Sequence, residues 1–278
     1  MLIYLIVGRT ASGKNYFANL LTNKGLRRAI SYTTRPKREH ETDDDYHFIS
    51  PMRAKLINPK LAPTEINNYE YFITEKELQN KDIFIIDPQG VIDLAAALPD
   101  AVFHVLYLEA PLDQRKKHFI QRAKYNKIKN PEEEFNKRNQ NEKERFDEFE
   151  KVIKADDPYS VQNSKYALPK NIYAISPIKI NYENFNETNT QASRFVMDKR
   201  FHNRLINMIK KAPELGLIRK QPTGKLLATL QNKSRQNHQI ELTPESYCEY
   251  LLANSGAFTS FMIAVLTNDR DLDKIYPE

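Results

Sequence analysis

Cysteine is almost absent. Cys248 is the only one in 278 residues, so no disulfide can form within the chain, and a reducing, cytoplasmic setting is expected. Long apolar runs are missing too. The longest, Leu2–Val7 and Phe261–Leu266, fall far short of the ~20 residues a membrane helix needs, so no membrane partner is expected. Met1 opens directly into an apolar run with no charged segment before it, and no secretory signal is expected. The six histidines never stand at zinc-ligand spacing with a cysteine or with one another, which argues against structural zinc. No Gly-x-Ser-x-Gly elbow exists, which argues against a hydrolase of that type. Glycine is scarce as well: there are 7, where ~7% of a chain is usual. Two of the 7, Gly8 and Gly13, nevertheless flank a single turn.

What is present suffices for a folded core, with 40% apolar and 28% charged residues. The net charge of +6 is unevenly spread. Residues 194–236 carry 11 basic and 2 acidic side chains, and residues 237–278 carry 2 basic and 7 acidic. Such a pair of segments can bind nucleic acid or pair with itself. No nucleic-acid motif accompanies it, so self-pairing or a solvated surface is the favoured reading.

Leu2–Val7, Asp82–Ile86 and Ala101–Leu108 read as buried strands. Helical patterns follow each, at Lys14–Asn23, Val91–Ala97 and from Leu112 to about Lys124. Strand-turn-helix repeated in this way predicts an α/β fold, a parallel sheet flanked by helices. Asn130-Pro131-Glu132-Glu133-Glu134 predicts the start of a helix reaching about Glu150. Prolines and asparagines in Asp156–Gln191 read as loops with short strands, and so as a boundary. The expected organisation is a domain at 1–157, an irregular linker at 158–191 and a mainly helical extension at 192–278. Met197, Phe201, Leu205 and Met208 mark one helix there. Leu226, Leu227 and Leu230 suggest another, and Thr243-Pro244 caps a third carrying Cys248 as a core residue.

Gly8-Arg9-Thr10-Ala11-Ser12-Gly13-Lys14-Asn15 fits Gly-x4-Gly-Lys between a strand and a helix, the setting of a phosphate-binding P-loop. The backbone of Gly8, Ala11, Ser12, Gly13, Lys14, Asn15 and Tyr16 would surround the phosphates of ATP, helped by the helix N-terminus. Lys14 would bridge the β- and γ-phosphates. Asn15 stands where a Mg2+-binding hydroxyl is usual, and its amide oxygen is the candidate replacement. The competing reading is a tight turn with an incidental lysine.

Ser31-Tyr32-Thr33-Thr34-Arg35-Pro36-Lys37-Arg38 places two arginines around a proline, a rigid fork suited to a phosphate dianion. Taken alone, a solvated basic loop is the simpler account. Tyr46-His47-Phe48 follows, alternating like an edge strand. With Asp45–Phe48, Asp87-Pro88-Gln89-Gly90, Arg122, Lys137-Arg138 and Lys151-Val152-Ile153 in the same order, the chain resembles the guanylate kinase family from residue 2 to about 157. The resemblance implies a P-loop nucleoside monophosphate kinase that uses ATP and Mg2+, with a small acceptor-binding arm and a helical lid. It further implies that Ser31, Arg35, Arg38 and Tyr46 hold the acceptor phosphate. Glu65 and Tyr71 would lie near its base and phosphate, with Glu70 the competing carboxylate. Two positions depart from the family: Ile85 replaces a second carboxylate, and Ile73 replaces the hydroxyl that helps read guanine.

Asp87 ends a buried strand, where α/β ligands bind. It could hold a Mg2+-bound water or the acceptor ribose, or simply cap the next helix. In 131–150 the large apolar residues are Phe135, Phe146 and Phe149, so the helix is expected to pack weakly at its polar centre and move as a lid. Arg138 and Arg145, two turns apart, would share a face and converge with Arg122 on the transferring phosphoryl. For Arg145 the competing reading is an exposed ion pair with a glutamate. Nucleotides are the expected partners, and homo-oligomerisation is left open.

Overall fold

The computed structural model describes residues 2–39, 41–66, 68–125, 128–180, 185–215, 217–221, 226–231, 237–253 and 255–268. The first part of the chain runs β1 (Leu2–Gly8), α1 (Lys14–Asn23), β2 (Tyr32–Thr33), β3 (His47–Phe48), α2 (Pro51–Lys55), β4 (Leu61–Ile66) and β5 (Tyr69–Ile73). It continues through α3 (Glu75–Leu78), β6 (Ile83–Ile85), α4 (Pro88–Ala97), β7 (Val102–Glu109), α5 (Leu112–Tyr125), α6 (Pro131–Ile153) and β8 (Ile172–Lys179). Then come α7 (Phe185–Lys211), β9 (Arg219–Lys220), β10 (Leu226–Gln231), β11 (Asn237–Leu242), α8 (Pro244–Ala253) and α9 (Ser255–Asn268). None of the described helices is long and apolar enough to cross a membrane.

Two compact units divide the chain, one spanning 2–196 and one comprising 197–278. In the first, β6, β1, β7 and β8 form a parallel sheet in that order, flanked by helices. The architecture is the α/β fold that the strand-turn-helix pattern predicts. β1 is interior and buried throughout, which explains its unbroken apolar run. Its side chains alternate between faces. Leu2, Tyr4 and Ile6 pack with Phe17 and Leu21 of α1 and with Phe195 of α7, while Ile3, Leu5 and Val7 are fully buried on the other side. The Tyr4 hydroxyl donates to the Phe195 carbonyl at 3.1 Å, so this large polar tip is satisfied inside the core.

A second sheet, in the order β3-β2-β5-β4, forms the arm. His47 and Phe48 do lie on an edge strand, β3, paired in parallel with β2.

Two expectations are corrected. The segment 158–191 is not simply a linker, because β8 lies within it and completes the parallel sheet against β7. Pro177 sits inside β8, and β8 is an edge strand, where a missing N–H is tolerated. Lys151-Val152-Ile153 forms the last turn of α6, with Val152 and Ile153 buried in the core. The C-terminal unit, with much of α7 and all of α8 and α9, is not helical throughout. Leu226, Leu227 and Leu230 lie in β10, the middle strand of an antiparallel sheet with β9 and β11. A short, leucine-rich segment cannot be assigned by periodicity alone, and cross-strand pairing such as Leu226 with Leu242 decides it.

The core of that unit gathers Leu205, Ile209, Leu226, Cys248, Leu251 and Phe261, with Cys248 fully buried as expected. Thr243 caps α8 by accepting from the Ser246 N–H at 3.1 Å. Lys210 pairs with Glu245 at 3.4 Å, one instance of the basic stretch meeting the acidic one.

Gly8 at the end of β1 tests how tightly the sheet meets the loop. A Cβ there would lie 2.5 Å from the Ser12 Oγ and 3.1 Å from the Leu108 backbone oxygen. Gly8→Ala is expected to lower stability by about 1–3 kcal/mol, measured by denaturant unfolding, because the buried backbone of Leu108 cannot yield.

Candidate active site

The loop between β1 and α1 folds back on itself. Ala11 (φ 60°) and Gly13 (φ 87°) take left-handed backbone, and Ser12 N–H donates to the Arg9 carbonyl at 3.1 Å. Ser12 is fully buried, with its Oγ lacking a hydrogen-bond partner. Gly13 is the N-cap of α1, so the first-turn amides of Lys14 and Asn15 face the loop side, as an anion cradle requires. Lys14 turns inward, donating to the carbonyls of Gly8 at 2.6 Å and Arg9 at 3.0 Å. Burial lowers its pKa to about 8, against the pull of Glu142; Arg122 and Arg115 push it the same way as burial, and Asp87 opposes them. Asn15 is exposed at the second position of α1, its Oδ1 only 3.5 Å from an Arg28 nitrogen, and Tyr16 is half-buried.

In the arm, Arg35 is buried and fully engaged. It donates to both oxygens of Glu41 at 2.8 Å and to the Tyr71 hydroxyl at 3.2 Å, and it stacks on the rings of Tyr46 and Phe48. Arg38 is exposed. Its N–H donates to Glu41 at 2.9 Å, and its guanidinium lies 3.6 Å from the same carboxylate. Burial alone would raise the Glu41 pKa, but bonds from Arg35 and Arg38 outweigh it and lower the value. Glu41 was not singled out in the sequence. Its position three residues after Arg38 was the available signal. Tyr46 is driven upward by burial and packs edge-on to Tyr71. Ser31 contributes its carbonyl to the N–H of His47. Glu65 is exposed on β4, Glu70 is paired with Lys60, and Ile73 is fully buried. The position where the resemblance expects a guanine-reading hydroxyl is therefore core.

Arg38 of the arm, Arg122 of α5 and Arg138 of α6 line one cavity of about 160 Å³, together with Phe119 and Glu134. Arg122 and Arg138 both lie against the Phe119 ring, and Arg138 donates to Glu134 at 2.6 Å. Asp87 caps α4 by accepting from the Gly90 N–H at 2.7 Å. Its other oxygen is 3.7 Å from Arg145, so Arg145 pairs with this aspartate and not with the glutamate of the competing reading, and it is not among the residues lining the Arg38–Arg122–Arg138 cavity. Gly90 is required here: a Cβ would come within 2.6 Å of Ile86.

The middle of α6 departs from expectation. It is not a weakly packed stretch, because its acids dock on the loop. Arg9 donates to Asp147 at 2.6 Å and to Glu150 at 2.8 Å, and Thr10 N–H donates to Glu142. Burial would lower the Arg9 pKa, but those two carboxylates carry it above the ordinary value. Tyr107 hydrogen-bonds Glu150 as well, and burial together with that bond raises it. A second cavity of about 650 Å³ opens at the C-terminal ends of β7 and β8, lined by Arg9, Tyr107, Pro111, Arg115, Lys154 and Lys179 among others. No sequence motif announces it, since its lining comes from five separate elements.

Among the described residues no cluster of three or more His, Cys, Asp or Glu could hold a metal alone. Mg2+ in phosphoryl transfer takes most ligands from phosphates and water, so the Asn15 amide and the Asp87 carboxylate fit such an ion without a protein cage.

The Lys14 ammonium gives a pH test. Folded, it loses its proton near pH 8; unfolded, near 10.5. Between those values the unfolded chain binds more protons, so this group makes stability rise with pH. The rise should be smaller in Lys14→Met, as measured by urea unfolding across that window.

No family model matches the chain. The guanylate kinase of Syntrophotalea carbinolica is 32% identical over 114 residues, which is 37% of this chain and 54% of that protein. The guanylate kinase of Neisseria gonorrhoeae is 32% identical over 112 residues, 36% of this chain and 55% of that one. The chain spans about half the length of the curated relatives it matches. The crystal structure of guanylate kinase from Anaplasma phagocytophilum aligns with 71% of this chain and 85% of its own, at 14% identity and a TM-score of 0.40. The sequence likeness is thus to proteins named guanylate kinase, over more than a third of the chain.

Proposed function

We propose that this protein is a nucleoside monophosphate kinase of guanylate-kinase type, transferring the γ-phosphoryl of ATP to (d)GMP or a related monophosphate. The observation that carries the reading is the common cavity of Arg38, Arg122 and Arg138, whose wall residues Phe119 and Ala123 also pack against Ala11 of the loop. On this reading a loop for one polyanion and an arm for another would meet at that cluster of guanidiniums.

In this reading the amides at the start of α1 grip the donor phosphates, and Lys14 leaves the Gly8 and Arg9 carbonyls to meet them. Arg35, already braced by Glu41 and Tyr71, orients Arg38 and Tyr46 around the acceptor phosphate, with Ser31 beside them. Arg122 and Arg138 neutralise charge on the transferring group, and Arg145 holds Asp87 in place. Mg2+, held by phosphates with Asn15 and Asp87 nearby, would neutralise the phosphate oxygens when bound. The larger cavity beside Arg9 has room for the donor nucleoside. Attack is in line and needs no covalent intermediate, because positioning and charge neutralisation supply the rate. Ile73 in the core and the Lys60–Glu70 pair leave the acceptor base open among purines and pyrimidines.

A second reading, a non-catalytic nucleotide-binding module, is favoured by one observation: the exposed amide of Asn15 where a hydroxyl is usual. A coupled assay for ADP release over a panel of ribo- and deoxyribonucleoside monophosphates separates the two. The expected result is ADP release that depends on at least one acceptor. Lys14→Ala and Arg122→Ala should each lower kcat by roughly 10²-fold or more, and Arg38→Ala should chiefly raise the acceptor KM. ATP binding without turnover of any acceptor would favour the second reading and overturn the first.

A further inference from the structure

Glu142 belongs to no motif, yet it is the carboxylate in closest touch with the loop backbone. It sits on α6 with its side chain 8% exposed. Both oxygens accept from the Thr10 N–H, at 3.0 and 2.9 Å, and one also accepts from the Thr10 hydroxyl at 2.8 Å. Arg115 of α5 approaches from the other side. It lies 3.5 Å from Glu142, donates to the Thr10 carbonyl at 3.1 Å and to Asn139 of α6 at 3.1 Å. The backbone of residue 10 is therefore pinned at its N–H and at its C=O by two side chains of opposite charge.

The next residue, Ala11, has φ 60°, a region that residues with a Cβ avoid. Nothing in its own chemistry favours that turn, so the restraint has to come from outside, and the pin on Thr10 is adjacent to it. Arg138, Glu142 and Arg145 are spaced four and three apart, one stripe along α6. The centre of the stripe holds the loop, while its flanks reach the acceptor cavity and Asp87.

We propose that Glu142, acting with Arg115 through Thr10, is a positioning residue that sets the shape of the phosphate loop and with it the affinity for the donor triphosphate. The inference rests on the kinase reading above. Asp147 offers the contrast. It binds the Arg9 side chain from the same helix and, among the described residues, does not bond the loop backbone, so losing it weakens helix docking without releasing the turn.

The test is calorimetric titration of the full chain with ATP and Mg2+, and separately with GMP. Glu142→Gln keeps the shape but offers one acceptor where two were used and leaves Arg115 without an opposite charge. Donor affinity should fall roughly tenfold or more, with acceptor affinity changed less than about twofold. Asp147→Asn should leave donor affinity within about threefold. If Glu142→Gln does not fold, Thr10→Ala keeps the ion pair and removes one bond to Glu142. It should weaken ATP roughly threefold and leave GMP alone. Wild-type binding of ATP with unchanged or tighter binding by Glu142→Gln, or by Thr10→Ala in its place, overturns the positioning role and spares the kinase reading. An equal loss of both ligands shows a merely structural effect and also overturns it. Failure of the wild-type chain to bind ATP at all overturns both.

Discussion

A helix with few apolar residues at its centre is held against a phosphate loop by charge, and the rest of the site takes its geometry from that contact. Glu142, Asp147 and Glu150 of α6 meet Thr10 and Arg9, while Phe135, Phe146 and Phe149 anchor the helix in apolar surroundings. The Arg9 pairs gain little net stability, because solvent screens Asp147, which is 43% exposed, and desolvation offsets much of the attraction at Glu150. What they do fix is register. A helix docked by three acids on one loop cannot slide by a turn without leaving buried charges unpaired. Arg138 and Arg145, which ride on the same helix, inherit that placement.

The local parts of the site were legible in the sequence, and the assembled parts were not. Gly8, Gly13 and Lys14 are close enough in the chain to declare a strand-loop-helix cradle, and Asp87-Pro88 declares a capped helix after a strand. The strand-loop-helix turn and the helix cap are both present, with Gly13 left-handed and Asp87 accepting from the Gly90 N–H. Glu41, by contrast, acquires meaning only when the loop 36–41 closes on Arg35. Glu142 is one of eight acids in a strongly charged stretch, and composition gives no reason to prefer it to Glu144 or Glu148. Its partner lies 132 residues away.

The fold shows the same division. β1 and β7 are continuous apolar runs and could be read directly. β8 contains Pro177 and follows a proline- and asparagine-rich stretch, so its sequence resembles a loop; only the free edge of β7 makes it a strand. β10 carries leucines at spacings that suit a helix, and antiparallel neighbours on both sides turn them into a ladder. In each case the missing information was the identity of the neighbour, which no local pattern encodes.

The Glu41 carboxylate gives the arm a discriminating character. Two guanidiniums share one internal counter-ion, so an incoming dianion meets roughly half the bare charge of an open arginine pair. Small inorganic anions, abundant in any cell, would gain little by lodging there. A ligand that also engages Tyr46, Tyr71 and the arginines across the cavity gains enough to compete. Under the proposed kinase reading, selectivity against loose anions would thereby be written into the resting fold.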